Sequence, residues 1–368
     1  MGEPELTLSV ITADIGGFVG HVSSHPDVLD TAKERLYAAR EKGAITDFHV
    51  LRCGDDLELI VTHRNGRDSR AFHELVWNIL NACEETAESL KLHAAGRGLI
   101  KDAFKGNLRH TGPGVAEMEF EERASEPVVI LMANKVSTGA WNLPLYRIFA
   151  DPFNTTGLVM DPSMIEGFSF RVLDTKEESE VTLSAPRDTY YILALIGSID
   201  RYVVTGVSRN NDGEICACAS SAKYNMTGDG IAGKCEPSLI IRCQSGFPAV
   251  GEAMEAFAFP HLVEGWMQSS YNGPLMPVPF YEANPTRFDG PPRAIAAGFQ
   301  LSGGRLIGPH DMFDDPSFDP ARRTAGEVTD YMRRHGPFKP HRAALSGSKA
   351  ASGLQVVDKI KDRFKKIE

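Results

Sequence analysis

The chain has 368 residues, 42% hydrophobic and 24% charged, with a mean hydropathy of -0.21; that is enough apolar material for a large core and excludes wholesale disorder. Its 39 Lys and Arg against 49 Asp and Glu give a net charge of -10, a field that repels phosphate backbones and argues against a nucleic-acid partner. No apolar run reaches the roughly 20 residues of a membrane span, and the opening MGEPELTLSV lacks the basic-then-apolar order of a signal peptide, so the expected setting is the cytoplasm, with no membrane partner.

The first strand reads Leu6 to Ala13 and stops at Asp14-Ile15-Gly16-Gly17, which leaves a carboxylate at a strand's end. Pro26-Asp27 opens a helix to about Lys42, with Val28, Leu29, Ala32, Leu36 and Ala39 on one face and Gly43 as its stop. Strands from Asp47 to Arg52 and from Leu57 to Thr62 flank Cys53-Gly54-Asp55-Asp56, which has hairpin-turn chemistry. A helix from Arg70 to Leu90 follows, then strands from Val115 to Glu121 and from Val128 to Ala133. Thr189 to Ile196, Arg201 to Val207, Glu214 to Ala219 and Leu239 to Arg242 fit strands, and Gly251 to Ala258 suits a helix. Hairpins mixed with helices predict a layered α/β or α+β fold rather than a strict parallel repeat.

No linker or repeat divides the chain before about residue 340, which predicts one large domain over residues 1–342. Residues 343–368 then read as a linker, SGSKAASG, and a short basic amphipathic helix. The six cysteines, Cys53, Cys83, Cys216, Cys218, Cys235 and Cys243, show no CxxC pair and read as reduced thiols. Cys216 and Cys218 alternate along EICACAS, which places both on one strand face; buried apolar packing is the preferred reading over a metal pair.

Three groups of residues carry chemical interest. Asp14, His21, Asp55 and Asp56 supply hard ligands of the kind Mg²⁺ prefers, although each has an ordinary turn or pre-helix reading taken alone. Gly228-Asp229-Gly230-Ile231-Ala232-Gly233-Lys234 nearly matches a phosphate loop, but Cys235 stands where a hydroxyl belongs and Pro237 precludes the helix that must follow. Lys234 is therefore either a solvated turn lysine or a desolvated nucleophile able to form an imine with a ketone. The segments Arg287 to Arg293 and Gly308 to Pro316 read as proline-fixed loops, either rigid turns or holders of sugar and phosphate.

Taken together, ADIGGFVGH, CGDDLEL, GPGVAEMEFEERASEP, NLPLYRIFADPFNT, GEAMEAFAFPHLVEGWM, GPLMPV, TRFDGPP, FDDPSFDPARR and DYMRRHGPF resemble the bifunctional fructose 1,6-bisphosphate aldolase/phosphatase family of archaea and deep-branching bacteria, over about residues 6 to 342. The resemblance implies a four-layer α-β-β-α fold, an octameric homo-oligomer and one Mg²⁺-dependent site. There a lysine condenses dihydroxyacetone phosphate with glyceraldehyde 3-phosphate before the 1-phosphate is hydrolysed.

By resemblance Asp14, His21, Asp55 and Asp56 are metal ligands, Lys135 contacts phosphate, Lys234 is the imine-forming catalytic residue, and Gln244 and Asp289 touch substrate. The family expects an aspartate at Asn134, a glutamine at Arg97, a tyrosine acid/base at Ile231, an aspartate pair at Cys235-Glu236, an arginine at Gln268 and a tyrosine near Ala350. Asn134 and Glu236 thus stand at metal positions; Arg97 puts a cation where a metal ligand is expected, so that a guanidinium could substitute for an ion, and with Gln268 it is assigned to substrate binding. These changes imply fewer metal ions, no tyrosine proton relay and a weaker grip on the distal phosphate. The leading reading is an enzyme diverged to another phosphorylated ketose or related carbonyl compound. The alternatives are an authentic gluconeogenic aldolase/phosphatase of this family and a non-catalytic sugar-phosphate-binding homologue.

Overall fold

A computed structural model describes residues 5–19, 22–93, 113–134, 136–174, 179–197, 201–220, 237–264, 272–284 and 290–335. A four-stranded antiparallel sheet runs in the order β2 (Asp47–Cys53), β3 (Asp56–His63), β1 (Leu6–Asp14), β4 (Gly114–Phe120). Helices α1 (Pro26–Glu41) and α2 (Arg70–Ser89) cover its outer side. Helix α1 begins where the His25 ring accepts from the Asp27 N–H and Pro26 fixes the first turn; Val28, Ala32, Leu36 and Ala39 form its buried stripe.

The larger sheet contains β5 (Glu126–Asn134), β6 (Phe168–Asp174), β7 (Ser179–Ala185), β8 (Tyr202–Arg209), β9 (Ile215–Ala219), β10 (Ser238–Arg242), β13 (Met276–Pro277), β14 (Arg293–Ser302) and β15 (Arg305–Asp311). Its order is β13-β14-β5-β10-β9-β8-β6-β7, with β15 paired to β14. Every pairing is antiparallel except β13 with β14. A separate pair joins β11 (Leu262–Glu264) to β12 (Asn272–Pro274). The outer face is covered from α3 (Asn142–Ala150), α5 (Thr189–Ile196) and α6 (Val250–Glu255); the remaining helices are the short α4 (Gly157–Met160) and α7 (Asp319–His335).

Strand parity assigns each side chain to a layer. Leu6, Leu8 and Val10 of β1 pack between the sheets with Val128, Ile130 and Met132 of β5, whereas Ile11 and Ala13 face α1 and α2 and Val129, Leu131 and Ala133 face the other helical layer. The four layers are thus helices, small sheet, large sheet and helices, as expected. Among the described residues no helix is long and apolar enough to cross a membrane.

Three local expectations are corrected. Thr189–Ile196 is a helix, not a strand: Ile192 and Ile196, four residues apart, enter the core while Tyr190, Tyr191 and Leu193 stay exposed. Its β-branched and aromatic composition yields to the need to cover the sheet edge after β7. Cys216 and Cys218 do not share a face, because the β8–β9 register slips between Val207 and Ser208; this bulge sends Cys216 to the helical layer while Cys218 stays between the sheets. Residues Gly308 to Asp311, read as loop, complete β15, an outer strand where proline is tolerated. The five described cysteines are buried and none is in a disulfide.

Candidate active site

Three strands run apolar along the inter-sheet face and turn polar at the same end. On β1 the inward series continues from Val10 through Thr12 to Asp14; on β3, antiparallel to it, from Ile60 through Glu58 to Asp56; on β5, from Met132 to Asn134. Asp14 and Asp56 are direct cross-strand partners, as are Thr12 and Glu58. The Thr12 hydroxyl donates to Glu58 Oε2 at 2.5 Å. Thr12 and Glu58 extend the polar face, and the sequence reading passed over them. Their signal was parity, since each stands two residues from an identified aspartate.

Asp55 occupies the two-residue turn between β2 and β3, and its position depends on Gly54. Gly54 has φ +62, and its backbone lies so close to Asn134 that an added Cβ would stand 2.5 Å from Asn134 Cγ and Oδ1. The Gly54 N–H donates to the Ala283 carbonyl at 2.9 Å. Ser24 fastens the segment after β1 to this turn: its N–H donates to the Gly54 carbonyl and its hydroxyl to the Asp55 carbonyl. Arg52 adds a bond to the Ser23 hydroxyl at 2.7 Å.

Asp55, Asp56 and Asn134 are each 2% exposed. The Asn134 amide nitrogen donates to Asp55 Oδ1 at 3.1 Å and to Asp56 Oδ2 at 2.7 Å, joining the two sheets through one planar group. Its carbonyl oxygen Oδ1 is buried without a hydrogen-bond partner. On the neighbouring strand Arg293 pairs with Asn134 in register, and burial pulls its guanidinium pKa down from the ordinary value.

The structure therefore brings together Asp14, Asp55, Asp56 and Asn134 of the expected set. Gln244 lies elsewhere, exposed beyond β10 beside the other end of β5, where Arg123 donates to its carbonyl. Since β5 is 9 residues long, at about 3.3 Å per residue its ends stand about 25 Å apart. His21, Arg97, Lys135, Ile231, Lys234, Cys235, Glu236, Gln268, Asp289 and Ala350 lie outside the described residues, as does the 343–368 segment.

Buried carboxylate oxygens, with an unsatisfied amide oxygen beside them, form a hard donor set suited to a divalent cation such as Mg²⁺. Among the described residues no three Asp, Glu, His or Cys side chains form a metal cluster by themselves; the place bridging Asp55 and Asp56 is held by the Asn134 amide nitrogen.

Comparison with known proteins places these features in context. A family model described as fructose-1,6-bisphosphatase matches residues 5–365. A fructose-1,6-bisphosphate aldolase/phosphatase of Ignicoccus hospitalis is 53% identical over 98% of this chain and 93% of its own length. The protein of that name from Moorella thermoacetica is 52% identical over 100% of this chain and 96% of its own. That of Methanothermobacter marburgensis is 49% identical over 98% and 99%.

Proposed function

This chain belongs to the fructose-1,6-bisphosphate aldolase/phosphatase family, and from that premise we propose that it is a divalent-metal-assisted enzyme acting on a phosphorylated ketose or a related carbonyl compound. The observation that carries the proposal is the meeting of Asp14, Asp55, Asp56 and Asn134 where both sheets turn polar. Those side chains, with His21 and Glu236, would hold Mg²⁺; when bound, it would neutralise phosphoryl oxygens and activate water. Lys234 would form the imine with the ketone, Lys135 and Arg97 would draw the phosphate, and Asp289 would orient a sugar hydroxyl.

Departure from fructose 1,6-bisphosphate is proposed from three substitutions. Ile231 carries no exchangeable side-chain proton, Cys235 is a soft ligand for a hard ion, and Gln268 lacks the fork that grips phosphate. Retention of the bisphosphate as substrate is the second reading, favoured by the full-length identity to enzymes named for it. We place the enzyme in the cytoplasm as a homo-oligomer, with residues 343–368 as an appendage. Gln244 would reach an acidic cluster only across a contact between copies.

Borohydride reduction with a panel of triose and ketose phosphates, read by intact mass and peptide mapping, is expected to leave an adduct on Lys234. No adduct with any carbonyl substrate would remove the imine step. Mg²⁺-dependent phosphate release from fructose 1,6-bisphosphate at a rate matching its relatives would decide for the second reading.

A further inference from the structure

The side chain of Asn134 is used in a lopsided way. Both its donors are spent on the two aspartates, while its acceptor, equally buried, bonds nothing. Flanking carboxylates dictate this orientation, because only the nitrogen end of an amide can face them without repulsion. A divalent cation in the same place reverses the preference: it repels N–H groups and attracts the carbonyl oxygen.

We propose that Asn134 is a reversible latch, its amide N–H groups holding Asp55 and Asp56 together in the metal-free protein and turning over on cation entry so that Oδ1 faces the ion. The inference rests on the divalent-metal reading above and adds to it how this chain manages the site between loadings. The surroundings suit such a turn. Nitrogen and oxygen exchange places by rotation about the Cβ–Cγ bond, a broad torsion in asparagine, with almost no change in volume. Gly54 presents bare backbone to the flat side of the amide, where any other residue would set a Cβ against it.

A carboxylate at this position would behave differently. It has no proton to give, so the empty site would gather another negative charge beside Asp55 and Asp56. The amide instead gives each of the two carboxylates a hydrogen bond, at the cost of competing with the cation for the same oxygens. Wild type is therefore expected to be stable when stripped of metal and to gain little on loading. Asn134→Asp should be unstable when stripped and gain much.

The test uses the full chain, crystallised from EDTA and soaked in Mn²⁺, with the ion located by its anomalous signal. The expected result is Mn²⁺ at the aspartates with Asn134 Oδ1 at coordination distance and the N–H bonds to Asp55 and Asp56 broken. Mn²⁺ at the aspartates with those N–H bonds intact would overturn the latch and leave the metal reading standing. Absence of Mn²⁺ from Asp14, Asp55 and Asp56 would remove both. In solution, Asn134→Asp should melt several degrees below wild type in EDTA and show the larger rise on adding Mn²⁺. Equal melting of the two proteins in EDTA would also overturn the proposal.

Discussion

Charge at the two ends of the inter-sheet face is handled in opposite ways by single residues. At one end Glu126 is fully buried with Arg242, 2.6 Å between Oε2 and the guanidinium, and Arg123 grips its other oxygen. Burial pushes the Glu126 carboxyl up, but the hydrogen bonds from Arg242 and Arg123 outweigh it and hold it below the usual range. At the other end Asp55 and Asp56 bond a neutral amide. A buried acid gripped by two guanidiniums ties strands together; the Asn134 amide ties the β2–β3 turn to the neighbouring sheet through hydrogen bonds alone. Gly54 is the residue on which that second arrangement depends. Gly54→Ala forces a Cβ onto the Asn134 amide and a side chain into the left-handed region. The expected losses are about 1–3 kcal/mol in urea unfolding and a reduced Mn²⁺ affinity in calorimetric titration.

At the scale of elements, a second polar network ties β1, β3, β4 and α2 together on the side of the small sheet away from the site. The Ser9 hydroxyl donates to Glu117 Oε1 at 2.8 Å, so it accepts from His63 Nε2 at 2.9 Å; His63 Nδ1 accepts the Asn65 N–H at 3.3 Å. Both ring nitrogens are thus matched to the neutral imidazole, which stacks on Phe72 at 3.8 Å between centroids. Burial pushes the His63 pKa down to about 4, Glu117 opposing and His73 assisting. Glu117 itself is held below the usual carboxylate range: burial raises it, but His73, the Asp68 N–H and the Ser9 hydroxyl prevail. A histidine whose folded pKa is depressed stabilises the protein above its unfolded pKa of about 6.5, and that stability drains as pH falls toward 4. Between pH 7.5 and pH 4, wild type is expected to lose on the order of 2–3 kcal/mol more than His63→Gln. Urea midpoints at the two pH values measure it; equal losses would show that His63 does not titrate between the folded and unfolded states.

Over the whole molecule, three apolar layers share strands: β1 and β3 each feed the inter-sheet core and the α1–α2 core, and β5 and β10 feed the inter-sheet core and the opposite helical layer. A defect between the sheets should therefore be felt by all four layers. Ile240→Ala, at a fully buried inter-sheet position, is expected to cost about 2–5 kcal/mol. It should lower a single melting transition seen alike by far-UV circular dichroism and tryptophan fluorescence; two separated transitions would show that the layers unfold independently.

What the sequence determined by itself was local. Periodicity of two along β1, β3 and β5, periodicity near 3.6 in α1 and α2, and turn chemistry at Gly54-Asp55 all act between near neighbours in the chain, so they were legible there and placed Asp14 and Asp56 at strand ends. Only tertiary structure decided the rest, because it depends on contacts between residues far apart in sequence. Asn134 meets Asp55 across 79 positions, a bulge set by pairing with β8 turns Cys216 away from Cys218, and the core above the sheet makes a helix of TYYILALI. The length of β5 likewise sets Gln244 apart from the aspartates. Side-chain type told which groups could take part in chemistry; the packing of two sheets chose which of them face one another.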